Sequence, residues 1–306
     1  MKHPITTESR AGTFLVGLLR GLDAQLDAIM RRVLDASDPE AIHDLRVNIR
    51  KVRTILKVAR AIFGRRHTDH ARAAFTVLHR ATGALRDEEV FRETMGRLGV
   101  KGALFQAYMR RRAARERRLR RATIDLVRGG ALDRARRLLG ALLTFPAKPS
   151  RDPEVGEFAR RVVLAARRRV ERHRDVDVGD AFGLHELRIM YKELRYPCEL
   201  LAPVLPKDLS ILAGPSATFQ SRLGDIHDVD MALLGIARAR SLDPALEATL
   251  LRALSALRRK KVAAFAADRS PAAVATRPTA RSARVRVKRS GASGSGKSRP
   301  AGSRRR

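Results

Sequence analysis

Two short segments carry side chains able to hold an anion. The first contains His43, Arg46, Arg50, Arg53 and Lys57; the second contains His185, Arg188, Lys192 and Arg195. Wound as α-helices, each set falls on one stripe roughly 100° wide. An ordinary exposed helix mixes signs at three and four spacing, because like charges there repel. The first stripe holds no acid, so its charge calls for an anion from outside the helix. Guanidinium suits two-pronged contact with phosphate, and ammonium acts as a point charge. A histidine heads each stripe. It can donate to a phosphate oxygen once protonated, and a bound polyanion favours that charged form.

Elements must exist to hold these stripes. Leu45, Ile49, Val52 and Leu56 run beside the first stripe, and Leu187, Tyr191, Leu194 and Cys198 beside the second. Both are therefore amphipathic helices with one face for a core. The arrangement also repeats. His43-Asp44-Leu45-Arg46 returns as His185-Glu186-Leu187-Arg188, 142 residues later. Arg86-Asp87 lies 43 residues after the first histidine, and His227-Asp228 lies 42 after the second. Gly83 and Gly224 each stand three residues before those pairs. Two landmarks at nearly one offset indicate a duplicated helical unit.

Nearly all of the chain to residue 268 reads as helix, with apolar residues recurring at three and four. The spacing predicts helices near 8–35, 39–63, 68–96, 102–128, 131–144, 153–174, 180–202, 207–240 and 243–268. Ser37 or Asp38 before Pro39, and Asp152 before Pro153, are helix-start signals. The expected fold is all-α: two antiparallel helical bundles, about 8–145 and 153–268, related by pseudo-twofold symmetry. Residues 269–306 are rich in Arg, Ser, Gly and Pro without periodicity, the composition of a disordered basic tail.

Composition narrows the function. The 306 residues carry a formal charge of +32. Twelve basic residues and no acidic ones lie in the tail, leaving 52 basic against 32 acidic residues in the first 268. A body this basic expects a polyanion: nucleic acid, anionic membrane or a phosphate polymer. Hydrophobic residues make up 44%, which excludes a wholly disordered cationic protein. A single Cys excludes a disulfide framework or Cys-based zinc site and suits a reducing cytosol. The run Phe14–Leu19 is far too short to span a membrane, and no signal peptide is read. Aromatics at 4% leave few platforms for stacking bases. Helix 102–128 adds eight arginines between Arg110 and Arg121 to the cationic surface.

The segments HDLRVNIRKVRTILK and HELRIMYKELRY resemble the two hallmark segments of the CHAD family, the conserved histidine α-helical domain. TGALRDEEV and FQSRLGDIHDVDMA are similar to its companion segments. The resemblance covers roughly residues 8–268. It implies two helical bundles about a pseudo-twofold axis, with a central basic groove for inorganic polyphosphate. By motif, it implies binding by His43, Arg46, Arg50, Arg53 and Lys57, and by His185, Arg188, Lys192 and Arg195, with Arg86 and His227 as further positions. Glu186, Met190 and Glu193 stand where the family often has basic residues, which weakens the second wall. Many relatives carry an attached triphosphate-tunnel domain. No β-rich segment here could form one, so polyphosphate hydrolysis is not implied.

The expectation is therefore a non-enzymatic, cytoplasmic protein at polyphosphate granules, without cofactor, metal or membrane partner. One rival is a nucleic-acid or nucleoid-binding protein, supported by tail tracts such as 284–289 and 304–306. The other is a metal-dependent HD-type phosphohydrolase, suggested by His43-Asp44, His227-Asp228 and Asp230. Asp44 lies about 100° round the helix from His43, so that dipeptide is no chelate. His67 and His70, three apart, are more simply a polar turn. Residues 291–298 satisfy the GxxxxGK[ST] phosphate-loop pattern. They lack the preceding strand and following helix such a loop needs.

Overall fold

The computed structural model describes residues 8–36, 38–144, 152–239 and 242–269. Residues 270–306 of the tail, with its GxxxxGKS segment, and Ser37 lie outside them, while Arg269 closes the last helix. No strand occurs among the described residues. The helices are α1 (Ala11–Asp35), α2 (Ala41–Phe63), α3 (Arg65–Ala81), α4 (Gly83–Gly96), α5 (Ala103–Arg128) and α6 (Asp133–Thr144). They continue as α7 (Val155–His173), α8 (Ala181–Leu200), the single turn α9 (Lys207–Ser210), α10 (Ala213–Ala237) and α11 (Pro244–Arg269). The all-α expectation holds. The described residues to Ala267 form one compact unit; of the second, 268–306, only Asp268 and Arg269 are described.

Local chemistry explains most boundaries. Asp180 Oδ1 accepts from Phe182 N at 3.0 Å to start α8, and Asp243 Oδ1 accepts from Leu246 N at 3.0 Å to start α11. Asp38 Oδ1 accepts from Glu40 N at 2.8 Å ahead of α2. Asp152 works differently from its sequence reading. Its carboxylate accepts from Gly12 N at 2.9 Å, so it serves α1 rather than α7. Backbone bonds from Ala11 N to Pro153 O (3.0 Å) and Val155 N to Ser9 O (2.8 Å) join the starts of α1 and α7 reciprocally. Such an antiparallel bridge between equivalent points of two halves is compatible with a twofold relation.

The expected helix 68–96 is broken at Thr82, and 207–240 divides into α9 and α10. Thr82 Oγ1 lies 3.2 Å from His79 O and 3.3 Å from Leu78 O, and also receives the Arg46 guanidinium at 2.5 Å. That tertiary bond fixes the turn. The corresponding stretch of α10 runs straight through Leu223-Gly224.

Three apolar clusters hold the fold. One gathers α1, α2, α3 and α6 with the first turns of α7. A second gathers α7, α8, α10 and Phe265 of α11. The third joins Phe91 and Met95 of α4 and Tyr108 of α5 to Val229 and Ile236 of α10 and Leu250 of α11. Thus α4 and α5 of the first half pack on helices of the second. Gly235 permits this approach, since a Cβ there would lie 3.2 Å from the Phe91 ring. Burial of these side chains stabilises by about 1.5–3 kcal/mol each.

Candidate cationic groove

Helices α2 and α8 pack against each other and turn their stripes inward. Arg50 Nη1 donates to Tyr196 Oη across the gap at 2.5 Å. Arg46 is only 8% exposed and donates to His79 O at 3.0 Å as well as to Thr82. Arg53 Nε donates to Thr76 Oγ1 of α3 at 3.0 Å. Arg188 lies over α10, with its Nε 3.6 Å from where a Cβ on Gly224 would stand. Lys192 is one turn further along α8.

Of these five, Arg46, Arg53, Arg188 and Lys192 are alike in their electrostatics. Burial first, then Arg50, weakens the proton affinity of Arg46; burial then Arg72 does so for Arg53. Burial lowers Arg188 too, against the pull of Asp228. Lys192 falls to about 8, through burial and then Arg50, Arg188, Arg53 and Arg46. Among the described residues none of the five forms an ion pair. Buried cations are ordinarily paired, because losing water is costly. Moreover Arg50 Nε, Arg72 Nε, Arg188 Nε and His79 Nε2 are buried without a hydrogen-bond partner. Unpaired cations close enough to lower one another's proton affinity match a multidentate anion.

Other expected residues are placed elsewhere or already satisfied. Lys57 pairs with Glu193, which also meets Arg169 of α7 at 2.6 Å. Burial works to raise the Glu193 carboxyl, but Lys57 and Arg169 outweigh it and hold it below the usual range. Arg195 pairs with Glu199 at 2.6 Å. The weakened second wall expected from Glu193 is thus local: Glu193 occupies Lys57 and leaves Lys192 free. His43 is exposed and borders a cleft of about 390 Å³ with Arg86, Glu89, Glu93 and Glu116. Arg86 lies 3.5 Å from Glu89. That cleft carries both signs and is chemically unlike the unpaired five. A larger cleft of about 810 Å³ lies beside α7; its charges are two of each sign, Arg10 and Arg161 with Asp152 and Glu157.

His185 and His227 meet directly, Nδ1 to Nδ1 at 3.2 Å, so one ring donates to the other. His227 is pushed down to about 4 by burial, Arg188 and His185, and is neutral at physiological pH. Among the described residues no group of three or more His, Cys, Asp or Glu is arranged to hold a metal ion.

The arginine run of α5 does not line the groove. Arg112 and Arg115 reach the buried Glu88 of α4 at 2.6 and 3.3 Å, and Arg120 reaches Glu89 at 2.7 Å. Arg110, Arg111, Arg117, Arg118 and Arg121 are exposed on the outer face. Conversely, α3 contributes residues the stripe argument missed: Arg72, His79 and Arg80. Burial and then Arg46 push His79 down to about 3. The sequence does carry a signal for them, since 72, 76, 79 and 80 share one face of a helix.

Fold and site together define an all-α bundle with a seam of unpaired cations between two packed helices. The chain belongs to the CHAD family: the family model for the CHAD domain matches residues 20–234. The fold is similar to a CHAD domain from the plant Ricinus communis, with 19% identity, a TM-score of 0.70, and coverage of 88% of this chain and 94% of that one. It is also similar to PptA from Streptomyces chartreusis, with 18% identity, a TM-score of 0.58, and coverage of 84% and 97%. No curated protein matches the chain at a significant level. No described helix is long and apolar enough to cross a membrane.

Proposed function

We propose that this protein binds inorganic polyphosphate in the groove between α2 and α8 and has no catalytic activity of its own. The observation that carries the reading is the set of five unpaired cations, Arg46, Arg50, Arg53, Arg188 and Lys192, four of which burial holds below their usual proton affinity. Polyphosphate offers repeated anionic oxygens and no bases, so it needs spaced cations and no stacking. Membership of the CHAD family, which the sequence resemblance links to this polymer, supports the choice among polyanions. Binding releases counterions, so affinity falls steeply with salt, by analogy with nucleic acids. We place the protein in the cytoplasm at polyphosphate granules.

A charge-matched pair of variants tests the site. Arg50→Gln/Arg188→Gln/Lys192→Gln removes three groove charges; Arg110→Gln/Arg117→Gln/Arg121→Gln removes three from the outer face of α5. In titrations with long-chain polyphosphate, the first loses on the order of 10²-fold in affinity or more, and the second a few-fold at most. Equal losses would reduce the groove to bulk charge.

The exposed α5 arginines are the observation that favours a second reading, non-specific contact with nucleic acid. Duplex DNA that competes equally with polyphosphate after removal of 270–306 would favour it over the groove. Phosphate release that rises with Mg²⁺ or Mn²⁺ and disappears in His227→Ala would instead move the protein to the hydrolases.

A further inference from the structure

Lys192 differs from the four arginines around it in one chemical respect. A guanidinium stays protonated in any protein environment, whereas an amine that loses its proton is a nucleophile. On α8 it stands between Arg188, one turn before, and Tyr196, one turn after, where Arg50 crosses from α2. Among the described residues no carboxylate holds it, in contrast to Lys57 on Glu193 and Lys261 on Asp225.

We propose that Lys192 is an acylation site for small acyl phosphates, and that its acylation weakens polyanion binding in the groove. An acyl phosphate carries an anionic head and an electrophilic carbonyl. Arg50 and Arg188, the two charges that act most strongly on Lys192, form no ion pair among the described residues and are disposed to take the phosphate oxygens through their terminal amino groups. The carbonyl then lies within reach of an amine on the same cationic face. The Lys192 nitrogen forms a bond to the carbonyl carbon, the carbon–oxygen bond to phosphate breaks, and inorganic phosphate leaves. The arginines stabilise the charge on that leaving group, and the proton from nitrogen passes to water. No oxidant or further reactant enters.

Proton affinity supports the assignment. Burial and the neighbouring arginines bring Lys192 down to about 8. At pH 7 its neutral fraction is then on the order of 10²-fold above that of an ordinary lysine. The product is a neutral amide, so the groove loses one of five unpaired charges and gains bulk where α2 and α8 meet.

The second half of this inference rests on the polyphosphate reading; the first half does not, and one experiment separates them. Full-length protein is incubated with acetyl phosphate, and occupancy at each lysine is followed by mass spectrometry. The same is done with a neutral acetyl ester. Lys192 is expected to react at least tenfold faster than Lys57 or Lys260 with acetyl phosphate, with a smaller preference for the neutral ester. Polyphosphate is expected to protect it. Treated protein loses polyphosphate affinity about tenfold, and Lys192→Arg shows no treatment-dependent change. Lys192 reacting no faster than Lys57 or Lys260, or with equal preference for the neutral ester, overturns the acyl-phosphate site even if polyphosphate binds. Fast phosphate-directed reaction without protection overturns the polyphosphate reading and leaves the acylation site standing. Unchanged affinity after full acetylation overturns the proposed effect on binding.

Discussion

An arginine keeps its charge when buried; a lysine among arginines is the group that yields. Lys192 faces Arg46, Arg50 and Arg53 from α2, Arg188 on its own helix and His79 from α3, while Asp228 of α10 acts on Arg188. Its free-state value near 8 has a functional consequence. A bound polyanion favours the ammonium and raises that value, so binding above pH 8 takes up a proton. Affinity is therefore full below pH 8 and falls as pH rises through it. The imidazoles of His79 and His227 are already neutral in this range and do not change. Between pH 7 and 9 the loss is about tenfold for a single such group, and Lys192→Arg flattens the profile. Titrations at fixed ionic strength check it. The two stripes were readable in the sequence because α-helical periodicity fixes which side chains share a face. What it does not supply is the partner of each charge. Lys57 and Arg195 meet Glu193 and Glu199, and only the structure shows which stripe members remain unpaired.

At the scale of the element, long runs with apolar period and capping residues announce themselves, and most helices lie near their expected limits. The break between α3 and α4 is different. Apolar spacing continues across Thr82, and the local signal, Gly83, does not decide the break, since its counterpart Gly224 lies within the unbroken α10. What sets the turn is a bond from another helix, Arg46 Nη1 to Thr82 Oγ1 at 2.5 Å, with both residues buried. Thr82→Val keeps the shape and removes the acceptor, leaving a buried guanidinium with one partner fewer. The expected cost is about 1–3 kcal/mol, read as a lower urea midpoint with unchanged slope. Because the same bond positions Arg46 in the groove, the variant also weakens polyphosphate binding, more than a surface Thr→Val such as Thr249→Val does. Asp152 shows the same limit in reverse. Its sequence context marks a helix start correctly, but the amide it accepts from belongs to Gly12 of α1, 140 residues away.

For the molecule as a whole, the sequence reads as two halves, and periodicity shows which face each helix buries without saying against what. The third core answers that for α4 and α5: Phe91 and Tyr108 meet at 6.4 Å between ring centroids, with the Arg112 guanidinium 3.9 Å from the Phe91 ring, and pack onto α10 and α11. The first half alone would expose that cluster, and the second half alone would expose its other side. The halves must therefore stabilise one another rather than fold as independent domains. This bears on the groove, since α10 carries the His227-Asp228 pair beside Arg188. Phe91→Ala is expected to cost roughly 3–5 kcal/mol while unfolding remains a single calorimetric transition at lower temperature. Two separated transitions would show that each half stands on its own core, and the shared cluster would then be a contact between domains instead of part of one cooperative body.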